Sequence, residues 1–116
     1  MVKRTIQRID TALKHISIVK KDINGVSLEQ FKNSDILVRA TAFSLPQIGE
    51  QMVNIDDHLE DEYKDLPWKA IRKMRNIIVH VYDKVKAEVV YEIATKDLES
   101  LENSLLKIKA DLEEQL

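Results

Sequence analysis

The side chains of this chain best suited to chemistry stand together between Pro67 and Tyr82, where Arg75, Asn76, His80 and Tyr82 read R-N-x-x-x-H-x-Y. Histidine both takes and gives a proton near neutral pH, and arginine pairs bidentately with phosphate oxygens without losing its charge. Those two groups suffice for metal-independent cleavage of a ribose phosphodiester. His80 would activate the 2′-hydroxyl or protonate the leaving 5′-oxygen, and Arg75 would stabilise the charge growing on the phosphate. Asn76, four residues before His80, would orient the imidazole or hold a phosphate. Lys69, Arg72 and Lys73 would guide a nucleic-acid backbone with little sequence information.

All of these residues fall on one expected amphipathic helix, and its geometry limits what they can do together. At about 100° per residue, Ile71, Met74, Ile78 and Val81 form an apolar face. Lys69, Arg72, Lys73, Asn76 and His80 gather on the opposite side, and Arg75 and Tyr82 lie above one another along the flank between, beside Trp68 and Val79. Arg75 and His80 are then about 140° apart, so a single straight helix does not aim both at one phosphate. A two-fold axis would bring the arginine of one copy towards the histidine of another, and a homodimer is therefore expected.

Five helices in an up-and-down bundle would carry this segment. Two glycines and two prolines in a chain that is 33% charged leave too little punctuation for a β fold. The first helix runs from about Val2 to Ile23, with Ile6, Ile9, Leu13, Ile16 and Ile23 on one stripe, and leaves through Asn24-Gly25. A short helix begins at Ser27, where Gln30 completes capping-box spacing. The third opens at Ser34 and continues towards Leu59 through Ile36, Leu37, Ala40, Phe43, Ile48, Met52 and Ile55. Pro46 inside it predicts a kink near Phe43 to Leu45 rather than two helices. The motif helix follows, with Asp65 as its candidate cap and Pro67 near its first turn. The last starts near Thr95, with Leu98, Leu101, Leu105, Ile108 and Leu112 spaced by threes and fours.

Residues 1–116 fit one domain, long enough for a real core. The absence of cysteine excludes disulfides and thiolate metal sites and agrees with a reducing cytoplasm. No apolar stretch is long enough for a signal or membrane span. The net charge of -2 argues against a constitutive nucleic-acid coat protein. Charge is nonetheless segregated: between Lys69 and Lys86 six basic residues face one acid, Asp83, whereas Glu50 to Asp65 holds seven acids against Lys64. No metal site is expected. His15 has no carboxylate three or four residues before it, and His58, although flanked by Asp56, Asp57, Glu60 and Asp61, lacks the Glu-x-x-His pairs of di-iron bundles. Gly49-Glu50 suggests close helix packing, with Glu50 a partner for a cation of the motif helix.

The motif and its flanks resemble the HepT-like branch of the HEPN domains, small helical toxins of bacterial and archaeal toxin–antitoxin pairs. The flanks that carry the likeness are Asp35-Ile36-Leu37-Val38-Arg39-Ala40, Ile48-Gly49-Glu50, Leu66-Pro67-Trp68 and Tyr91 to Leu98, which with the motif cover nearly the whole chain. It departs from the commonest family wording at Val81, where an acid is frequent, and at Gln51, where a small residue is usual. The resemblance implies an all-α, HEPN-like homodimer with the motif lining a cleft between protomers. It also implies a cytoplasmic, prokaryotic, metal-independent endoribonuclease with no cofactor. The partner of the family is often a minimal nucleotidyltransferase antitoxin that transfers AMP to the motif tyrosine, here Tyr82. The alternative is a non-catalytic bundle that binds nucleotide or RNA as partner of that nucleotidyltransferase.

Overall fold

The computed structural model describes residues 2–54, 59–77 and 87–116. Two of its helices begin where the capping residues say they should. α1 (Val2–Ile23) ends on two basic side chains, Lys20 and Lys21, and is followed by Gly25 at φ 75°, a left-handed exit that favours glycine. α2 (Leu28–Lys32) is opened by the complete capping box. The Ser27 hydroxyl accepts from the Gln30 amide at 3.1 Å, and the Gln30 side chain accepts from the Ser27 amide at 2.9 Å. α3 (Asp35–Val53) starts at Ser34, whose hydroxyl accepts from the Leu37 amide at 3.2 Å.

The spacing of apolar residues then decides what each helix buries. Ile9, Ala12, Ile16, Val19 and Ile23 of α1 meet Ala42, Leu45, Ile48 and Met52 of α3, and α3 lies between α1 and the motif helix, α5 (Trp68–Asn76). From α5 come Ala70, Ile71 and Met74. The chain closes with α6 (Ala87–Glu92), a π-helical turn (Ile93–Asp97) and α7 (Leu98–Glu113), which packs on α1 through Leu98, Leu101, Leu105 and Ile108. This is the all-α bundle anticipated from the sequence, and no strand occurs among the described residues.

Four expectations need correction. α3 stops at Val53 instead of running to Leu59, with Asn54 in a C-terminal turn; residues 55–58 lie outside the described set, and a separate turn, α4 (Leu59–Glu62), follows. Pro46 sits inside α3 without dividing it, as the sequence anticipates. Ile36 and Phe43, counted with the apolar stripe, are 80% and 60% exposed, because the stripe facing α1 and α5 is the one through Ala42, Leu45, Ile48 and Met52. Asp65 does not cap α5: Pro67 occupies the N-cap position without a side-chain hydrogen bond, and Trp68 anchors the entry by donating its indole N–H to the Tyr63 carbonyl at 3.0 Å. The final helical stretch begins at Ala87 rather than near Thr95. Thr95 lies within the π-helical turn, where its hydroxyl donates to the Tyr91 carbonyl at 2.7 Å. Tyr91 in turn donates to the Val26 carbonyl at 2.7 Å and packs against Phe31, which ties this turn to the start of α2.

Candidate functional site

Within α5 the sequence separates two jobs on one short helix. Ala70, Ile71 and Met74 point into the core, Ile71 and Met74 with no residual exposure. Burying such side chains stabilises by about 1.5–3 kcal/mol each, enough to fix the rotation of the helix about its axis. Lys69, Arg72, Lys73, Arg75 and Asn76 are consequently turned to solvent, as the 3.6-residue period anticipates. Five polar side chains, four of them cationic, thus form a continuous outer surface on nine residues of helix.

The position of Arg75 is set from across the helix pair. A Cβ added to Gly49 of α3 would lie 2.7 Å from the Arg75 backbone nitrogen, 2.9 Å from the Ile71 carbonyl oxygen and 3.1 Å from the Arg75 Cα. All three are backbone atoms that cannot swing aside. Gly49 is therefore the point where α3 and α5 touch, and it touches at Arg75. The next residue, Glu50, pairs with the guanidinium: Arg75 Nε donates to Glu50 Oε2 at 3.3 Å. Asn54, one turn further along α3, donates from Nδ2 to Glu50 Oε1 and to the Glu50 carbonyl, both at 2.9 Å. Gln51, where the family usually has a small residue, accepts from Arg8 Nη1 of α1 at 3.5 Å.

The Arg75 and Glu50 side chains are 54% and 52% exposed, so their ion pair contributes at most about 1 kcal/mol to the fold. Its consequence is geometric. Among the described residues the guanidinium is held through Nε, which leaves its two Nη groups for a bidentate contact with an oxyanion.

Of the sequence-predicted site residues, Lys69, Arg72, Lys73, Arg75 and Asn76 share this outer surface. His80 and Tyr82 lie outside the described residues. Glu50 emerges as the partner of Arg75 in particular, and Asn54 was missed. Its signal in the sequence is the spacing of four from Glu50, which on a helix brings two side chains together. Among the described residues no group of three or more His, Asp or Glu is placed to hold a metal ion. None of the described helices is long and apolar enough to cross a membrane.

The sequence model of the family described as ribonuclease HepT-like matches residues 6–108. A proposed RNase of Methanocaldococcus jannaschii is 30% identical over 116 residues, covering 99% of this chain and 100% of the relative. A proposed RNase of Caldanaerobacter subterraneus subsp. tengcongensis is 28% identical over 100 residues, 86% of this chain and 89% of its own. The probable ribonuclease HepT of Thermococcus cleftensis is 23% identical over 94 residues, with 81% and 86% covered. No solved structure matches the chain at a significant level.

Proposed function

Because the chain belongs to the ribonuclease HepT-like family, we propose that it is a metal-independent endoribonuclease whose reaction centre is built from Arg75 and His80. The observation that carries this reading is the exposed guanidinium of Arg75, fixed at the α3–α5 contact on a helix that also turns Lys69, Arg72 and Lys73 to solvent. Such a surface suits the backbone of RNA: the lysines and Arg72 neutralise phosphates without reading bases, and Arg75 stabilises charge at the scissile phosphate. His80 supplies proton transfer, and Asn76 orients the imidazole or holds a phosphate.

The working unit in this reading is a homodimer. Ile36, Phe43 and Glu50 recur every seven residues along α3, within about 20° of one line. All three are exposed. Two unburied apolar side chains in line with the Glu50–Arg75 pair offer a seat for a second copy, whose His80 would complete the site. Restraint of the activity falls to a minimal nucleotidyltransferase antitoxin that transfers AMP to Tyr82. Tyr82 stands about 10 Å along the helix from Arg75 if the helix continues, so the added phosphate would reach the guanidinium and the nucleotide would block the cleft.

Incubation of purified protein with RNA in EDTA tests the activity. The expected result is cleavage that survives chelation and leaves 2′,3′-cyclic phosphate ends; intact RNA from folded, dimeric protein would overturn it.

A further inference from the structure

Transesterification of RNA requires two proton movements, one from the 2′-hydroxyl and one to the leaving 5′-oxygen. One imidazole cannot take one proton and give another in the same step, so a second proton-transfer group must act beside it. A carboxylate stands beside Arg75 with the properties of such a group. Glu50 is half exposed, and among the described residues its oxygens are engaged by one donor each, Oε2 by Arg75 Nε at 3.3 Å and Oε1 by Asn54 Nδ2 at 2.9 Å. Each oxygen therefore retains a lone pair for a further proton.

The pair is also set in place before substrate arrives. Gly49 holds the backbones of α3 and α5 in contact at Arg75, and Glu50 and Arg75 extend from that contact. A ribose phosphate carries its 2′-oxygen next to its non-bridging phosphate oxygens. A phosphate held in the Nη fork of Arg75 would thus bring the 2′-hydroxyl to the carboxylate that grips the Nε side.

We propose that Glu50 is the general base of this site, an inference that rests on the ribonuclease reading above. Its carboxylate takes the 2′-hydroxyl proton as O2′ bonds to phosphorus and the bond from phosphorus to O5′ breaks. The leaving oxygen takes its proton from the imidazolium of His80. The products are a 2′,3′-cyclic phosphate and a 5′-hydroxyl, and no water, metal or further reactant enters the step. His80 is thereby assigned the acid role.

Glu50→Gln keeps the size of the side chain but accepts no proton, and at half exposure it leaves the fold intact, which circular dichroism would verify. The substrate is an oligoribonucleotide cut by the wild type, made also with sulfur in place of the 5′-oxygen at the scissile link, a thiolate that leaves without protonation. Glu50→Gln should lose about 10²–10⁴-fold in kcat on both substrates and lose the acid limb of its pH–rate profile. His80→Ala should be slow on the oxygen substrate and recover on the sulfur one. A wild-type kcat in Glu50→Gln, a loss in KM alone, or recovery of Glu50→Gln on the sulfur substrate would overturn the proposal while the ribonuclease reading stood. Intact RNA with the wild type would remove both.

Discussion

Arg75 and the residues around it are held by contacts that contribute little to stability, so their removal separates chemistry from folding. Arg75→Ala deletes a half-exposed guanidinium and a surface ion pair. It should leave the melting temperature close to wild type and lower RNA cleavage by about 10²–10³-fold, the usual cost of losing one stabilising donor. Comparing thermal melts with cleavage rates checks both halves. His15 offers the opposite case. Its Nδ1 is buried without a hydrogen-bond partner, and burial, with the neighbouring Lys14 charge, lowers its pKa below the ordinary value of 6.5. The folded state binds this proton less readily than the unfolded state. The resulting penalty is absent above about pH 6.5, grows as pH falls below it, and is complete once pH passes the lowered folded value. His15→Gln should accordingly lose less thermal stability than wild type between pH 7.5 and 5, read by melting curves. At this scale Arg75 was legible in the sequence through the company it keeps on one helix. Its tie to Glu50 was legible only as a generic expectation of a cation, because which cation depends on how α3 and α5 are rotated against one another.

Helix α3 does more positioning than its apolar content suggests, and Gly49 is where that can be measured. Gly49→Ala places a methyl carbon within 3 Å of the backbone of α5. Relief requires the helices to part. The expected cost is about 1–3 kcal/mol, as for overpacking elsewhere, with a loss of cleavage although every charged side chain is retained; chemical denaturation alongside the cleavage assay checks this. The exit from α1 and the starts of α2 and α3 were readable because Gly25, Ser27, Gln30 and Ser34 state their local hydrogen bonding in the sequence. The end of α3 was not: Asn54 closes the helix by bonding its side chain to Glu50, whereas the apolar pattern alone runs on to Ile55. The start of the final helical stretch was misread for a related reason. The π-helical turn at Ile93–Asp97 shifts the register between α6 and α7, so the Leu98 stripe does not extend backwards as a regular 3.6-residue repeat.

For the molecule as a whole, the sequence pattern and the bundle agree on one all-α body with its core between α1, α3, α5 and α7. The pattern failed at Ile36 and Phe43 because hydrophobicity does not distinguish a side chain covered by its own chain from one left for another. If these residues seat a second copy, the double substitution Ile36→Glu with Phe43→Glu should yield a folded monomer, observed by sedimentation, with cleavage abolished although Arg75 and Glu50 are untouched. A dimer that persists would move the interface elsewhere. The most direct test of the account remains cleavage of RNA in EDTA by wild type beside Arg75→Ala and His80→Ala, each verified as folded. Cyclic-phosphate products from the wild type and near-complete loss in both variants are the expected result. Undiminished cleavage by either variant, or cleavage by the wild type that chelation stops, would contradict it.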